Sequence, residues 1–103
     1  MVKASIYYWT EVFSEALLGK TPTREIFDRC YYKILEVEGD AEITPEDMFD
    51  MLNTNEDLKR ILQFKAVVIG HTSMSVGDIV EIGGKYYICR DRGWEEVFRE
   101  NGN

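Results

Sequence analysis

The chain is short of several things, and each shortage narrows what it can be. It has one histidine and two cysteines, Cys30 and Cys89, which lie far apart with no CxxC pair. A zinc centre takes four ligands at workable spacing, so no metal and no other cofactor is expected. Both cysteines sit in apolar, strand-like runs and read as buried free thiols of a reducing compartment. No run of about 18 apolar residues occurs, and MVKASIYYWTEVF at the start lacks the apolar centre of a signal peptide. The expectation is therefore a cytoplasmic protein with no membrane partner. Basic residues are also scarce: twelve Lys and Arg face nineteen Asp and Glu, for a formal charge of −7. That argues against a phosphate-binding surface spread over the whole chain, because such surfaces accumulate Lys and Arg.

Enzyme signatures are missing too. Gly83-Gly84 is followed by no lysine-threonine helix start, so it is not a phosphate loop. The neighbouring carboxylates Glu46-Asp47, Glu56-Asp57 and Glu95-Glu96 read as helix-capping charge or solvated strand edge rather than a general acid and base.

What is present fits one modest core. With 103 residues, 45% hydrophobic and 13% aromatic, a single domain over 1–100 and a frayed tail over 101–103 are expected. Residues 5–9, SIYYW, have the composition of a strand. In TEVFSEALLGK, Val12, Phe13, Ala16 and Leu17 fall at helical spacing and Gly19 is a stop signal. Thr21-Pro22-Thr23 predicts an N-cap and a first-turn proline for a short helix carrying Ile26 and Phe27. Residues 31–38, YYKILEVE, read as a strand ended by Gly39-Asp40. Thr44-Pro45-Glu46-Asp47 is the clearest helix start: a capping threonine, a proline where its missing N–H costs nothing, and two acids at the positive end of the helix dipole. Met48, Phe49, Met51 and Leu52 then make an apolar stripe. Asn53-Thr54-Asn55 breaks it, and a further turn or two bears Leu58, Ile61 and Leu62.

The last third reads as β-structure. FKAVVI over 64–69 is a strand candidate. Residues 78–82 pair with 85–90 across Gly83-Gly84, a two-residue loop suited to primed hairpin turns, in a register that sets Val80 opposite Tyr87. Asp91-Arg92-Gly93 turns the chain into a closing strand over 94–98. Strands with a few short helices predict an α+β fold: a small antiparallel sheet, open or barrel-like, with one clear helix and one or two short ones.

Within GHTSMSVGDIVEI, His71, Ser73 or Ser75 and Asp78 have the residue types of a base, nucleophile and orienter. A triad is defined by geometry and needs oxyanion donors. Here the residues crowd one segment entering a strand, whose alternate side chains point to opposite faces. The stronger reading is architectural: hydroxyls bonding nearby backbone, Gly77 in a tight turn with positive φ, and Asp78 closing an Asx-type turn. No catalysis is expected.

Two surface clusters remain. Lys85, Tyr86, Arg90, Arg92 and Trp94 can stack a base or grip phosphate, although Arg90 and Arg92 can equally pair with Glu95 and Glu96 or with Glu81, which is the favoured reading. Glu36, Glu38, Asp40, Glu42, Glu46, Asp47 and Asp50 form an acidic stretch that can fringe an interface with a basic partner by charge complementarity. Plain solubility is the other meaning of that charge.

The succession IYYW, YYKILEV, PEDMFDMLN, GHTSMSVGDIVEI and YYICRDRGWEEV resembles the YodL-like family of small domains from phages, plasmids and other mobile elements. His71, Ser73 and Ser75 match that family's H-S-L-S core, Val76 and Asp78 its V-S-D, and Tyr87, Gly93, Trp94 and Val97 its closing aromatic block. Gly77 stands where the family usually has serine. The resemblance implies a mobile-element accessory protein acting in the host cytoplasm. Its expected partner is a host protein or protein–nucleic acid complex, such as a defence assembly, with direct nucleic-acid binding as a secondary expectation. A monomer or small homo-oligomer is expected, and a homo-oligomeric assembly role is the further alternative.

Overall fold

The chain begins in β1 (Val2–Trp9), which extends three residues before the aromatic run expected over 5–9. The computed structural model describes residues 1–54, 56 and 76–98. The strand expected over 64–69, the turn bearing Leu58, Ile61 and Leu62, the residues His71, Ser73 and Ser75, and the tail over 101–103 lie outside the described residues.

After β1 comes a 3₁₀ helix (Glu11–Leu18) with non-helical backbone at Phe13, closed by Gly19 at φ 92°. At three residues per turn, side chains at i and i+3 eclipse. Phe13 and Ala16 therefore share the buried line, 4% and 0% exposed, while Val12 and Leu17 point outward at 78% and 52%. Of the four residues at helical spacing, only the i, i+3 pair is buried.

Helix α1 (Arg24–Cys30) follows, and Thr23 is its cap, accepting from the Ile26 N–H at 3.2 Å. Pro22 precedes the cap instead of occupying the first turn as expected. It fixes the approach to the helix, and Phe27 is the side chain α1 buries. Strand β2 (Tyr31–Gly39) leads to α2 (Pro45–Thr54). There the Thr44 N–H donates to Asp47 Oδ2 at 3.0 Å, and the Asp47 N–H donates to Thr44 Oγ1 at 3.2 Å. This is a reciprocal capping box with aspartate in the acidic role.

Strands β3 (Ile79–Ile82), β4 (Lys85–Cys89) and β5 (Trp94–Val97) complete the fold. Gly83 and Gly84 both have positive φ, 56° and 87°, as a type I′ hairpin turn requires. Val80 pairs with Tyr87 as expected. All pairings are antiparallel, in the order β2-β1-β3-β4-β5. Among the described residues the sheet is open, with β2 and β5 at its edges. The fold is a small α+β domain.

Strand alternation sends neighbouring residues to opposite faces, and each face carries its own core. On one lie Ala4, Ile6, Tyr8, Ile34 and Val80, covered by Met48 and Leu52 of α2. On the other lie Ile79, Ile88 and Val97, covered by Phe27 of α1. Between Ile6 and Tyr7 the β1–β2 register shifts, from Ile6 opposite Leu35 to Tyr7 opposite Lys33. Ile34 is the extra residue of this bulge, and it is buried. Each large apolar side chain buried in this way contributes about 1.5–3 kcal/mol.

Candidate functional site

The segment Val76-Gly77-Asp78 is a structural hub. Three elements converge on it. The Trp9 indole N–H donates to the Val76 carbonyl at 3.0 Å, and the Tyr31 hydroxyl donates to the Gly77 carbonyl at 2.6 Å. The Trp9 backbone N–H donates to Asp78 Oδ1 at 3.1 Å. The Gly77 N–H and the Cys89 carbonyl, and the Cys89 N–H and the Asp78 carbonyl, close the β3–β4 end at 2.9 and 2.8 Å. Gly77 has φ 94°, and a β-carbon there would lie 2.6 Å from Ala16 Cβ and 2.7 Å from the Ala16 carbonyl oxygen. Asp78 is fully buried. Its carboxylate reaches across the fold to the end of β1, where a local Asx turn was expected.

This hub sets the electrostatics around it. Burial, and secondarily the Asp78 carboxylate, push the hydroxyls of Tyr8 and Tyr31 well above the usual phenol range. The same two causes, in the same order, push the Cys89 thiol up to about 11. Cys89 therefore carries a neutral thiol at pH 7 and is no activated nucleophile. Both cysteines are free, but only Cys89 is buried in a strand as expected; Cys30 ends α1 and is half-buried. No group of three or more His, Cys, Asp or Glu side chains among the described residues is placed to hold a metal.

The basic-aromatic residues do not form one face. Arg90 is a clamp: its Nε lies 3.0 Å from Glu95 Oε1, its Nη1 donates to the Gly19 carbonyl at 2.9 Å, and its Nη2 donates to Thr21 Oγ1. The favoured internal pairing is thus present for Arg90 but not, among the described residues, for Arg92, and the Arg90 clamp also ties the end of β4 to the loop after the 3₁₀ helix. Trp94 lies on the α2 face, with its indole N–H 3.1 Å from Glu46 Oε2 and its ring edge-on to Phe49 at 6.4 Å. Tyr86 lies on the α1 face. There Arg24 sits over the rings of Phe27, Tyr86 and Phe98 at 5.5, 4.8 and 5.5 Å. Arg92 is exposed and makes no ion pair with a described residue. Gly93 turns the chain at φ 80°, and Tyr87 is half-buried in β4.

Beside the hub a cleft opens between the 3₁₀ helix, the first turn of α2 and the β4–β5 turn. Its inner part, ≈ 470 Å³, is lined by Leu17, Val76, Phe49 and Trp94 and by the buried Cys89. Glu46, Asp91 and Arg90 supply its charges, and Gly93 opens its mouth. An outer part of ≈ 640 Å³ shares Leu17, Val76, Arg90 and Asp91 and runs on to Leu18 and Arg92. Leu18 is 86% exposed, so the cleft continues into an apolar surface. A hollow of this size with apolar walls and a few polar groups has the form of a ligand or side-chain pocket. Leu17, Phe49, Cys89 and Asp91 were not marked by any sequence motif as site residues. They come together only through the long-range packing of three elements.

The acidic stretch is exposed throughout. Glu36 accepts from Lys33 at 2.8 Å and from Ser5 at 3.4 Å, and these contacts with Lys33 hold its carboxyl below the usual range. Asp47 caps α2 and Glu46 holds Trp94. Glu38, Asp40, Glu42 and Asp50 make no ion pair with a described residue. By contrast Lys3, Lys20, Arg24, Arg29, Lys33 and Arg90 each have a carboxylate partner. The uncompensated negative charge of the described residues therefore includes a run along the β2 edge, around the following turn and onto α2.

No helix of the described residues is long and apolar enough to cross a membrane. No family model matches the chain, and no solved structure matches it. The chain is 31% identical to the uncharacterized protein R785 of Acanthamoeba polyphaga mimivirus over 107 aligned positions, which cover 94% of each protein. On that identity and coverage, the chain belongs to the same family as this viral protein.

Proposed function

We propose that the protein is an accessory protein of a virus or mobile element that binds a host macromolecule and modulates or inhibits it. The target class is a basic host protein, or a protein–nucleic acid complex of defence or nucleic-acid processing. The observation that carries this reading is the unpaired acidic run Glu38, Asp40, Glu42 and Asp50, next to a domain whose described cations are mostly paired within the chain. Such a surface steers a basic partner and sets its orientation. The viral relative supports a setting in which a host component is the partner. The protein acts by occupancy, with no turnover.

The test is capture from host lysate by the wild-type protein and by the fourfold reversal Glu38→Lys, Asp40→Lys, Glu42→Lys, Asp50→Lys. A partner held by the first and lost by the second supports the reading. Equal capture by both, or substrate turnover by the free protein, overturns it.

A further inference from the structure

The inner cleft has a chemistry more specific than the acidic run. Its apolar lining includes two aromatic rings, Phe49 and Trp94, set edge to face at 6.4 Å, together with Leu17 and Val76. Its charges do not cancel. Arg90 lines it, but that guanidinium is balanced by Glu95 and held by Gly19 and Thr21. Glu46 accepts a neutral indole N–H, which leaves its charge standing. Asp91 is exposed and makes no ion pair with a described residue. The cavity thus joins aromatic faces to two uncompensated carboxylates, the combination that attracts an organic cation by ring quadrupole and Coulomb terms together.

We propose that this cleft receives an arginine side chain of the partner, its methylene stem over Leu17 and Val76 and its guanidinium between the Trp94 ring and the carboxylates of Glu46 and Asp91. The volume, ≈ 470 Å³, accommodates one such side chain and part of its backbone. Planar guanidinium suits the site better than ammonium, since it stacks on aromatic rings and forks to carboxylates. Arg92, at the outer part of the cleft, is placed on the side where the partner's backbone carbonyls would enter.

This inference rests on the binding function proposed above, but its test does not need the partner. Acetyl-arginine methylamide and its neutral isostere, acetyl-citrulline methylamide, are titrated into the isotope-labelled protein. The Trp94 indole N–H and the backbone N–H groups of Asp91 and Gly93 are followed by NMR. The arginine compound is expected to shift these resonances saturably and the citrulline compound to leave them in place. Asp91→Asn, which removes an exposed carboxylate with no structural partner, should weaken the arginine compound about tenfold, and Glu46→Gln by a similar factor. The Trp9 indole resonance reports that each variant is folded. Equal shifts from both compounds, shifts centred elsewhere, or no shift at saturating concentration overturn the proposal. If the arginine compound fails while capture that depends on the acidic run persists, only the cleft assignment falls. If it binds and no partner is captured, the binding function falls and the cleft stands.

Discussion

Gly77 lies against Ala16 so closely that any β-carbon on it would sit 2.6 Å from Ala16 Cβ, and its φ of 94° is one that other residues rarely adopt. The turn entering β3 and the 3₁₀ helix are thereby locked together, with the cleft formed beside them. Gly77→Ala combines backbone strain with overpacking and should cost about 2–4 kcal/mol. Ala16→Gly in the same chain should recover only part, because the Ala16 carbonyl remains 2.7 Å from the new carbon. Urea denaturation of the single and double variants measures both.

The Arg90 clamp should be intolerant of a conservative change. Its three contacts, to Glu95, Gly19 and Thr21, need a planar fork that lysine lacks. Arg90→Lys and Arg90→Ala should both lower stability, by about 1–3 kcal/mol in all, since the partners lie at the solvent-exposed rim. Full recovery in the lysine variant would show that only the charge matters.

At the start of α2, Thr44→Ala removes the acceptor of the Asp47 N–H and should cost about 1 kcal/mol. Thermal unfolding of Thr44→Ala and Thr44→Ser separates the hydroxyl from the methyl group. The serine variant should stay close to wild type.

Stability should fall in alkali through Cys89. Burial, then the Asp78 charge, raise its thiol to about 11 from an ordinary value of 9.0. A raised folded-state value means that the folded protein holds its proton where the unfolded chain has lost it. The thiol's contribution is therefore complete below pH 9 and declines as pH rises towards 11. Cys89→Ala should flatten that part of the denaturation-midpoint profile. Asp78→Asn removes one cause of the shift, so thiolate absorbance should then appear at lower pH. At neutral pH an alkylating reagent should modify the half-buried Cys30 before the buried Cys89.

What was legible in the sequence was what short-range chemistry dictates. Gly83-Gly84 supplies two positive φ angles that the hairpin needs, and it carried the Val80–Tyr87 register with it. Thr44-Pro45 marks a helix start because cap and dipole act within one turn. The segment over Glu11–Leu18 differed because its apolar spacing serves a three-residue turn as well as an α-helical one. The cap lies at Thr23, two positions after Thr21, because the two threonines offer equivalent hydroxyls and that of Thr21 is taken by Arg90, a contact distant in sequence. The Arg90 clamp spans 69 residues to Thr21. Only its pairing with Glu95, five residues on, was legible locally; the contacts with Gly19 and Thr21, and the cleft, depend on elements distant in the chain.

Hydrogen exchange on the complex with the captured partner tests the central claim most directly. The account predicts slowed exchange over 38–50 and over 89–94, relative to the free protein, and its loss in the fourfold charge reversal. Protection that leaves both segments unchanged would contradict it.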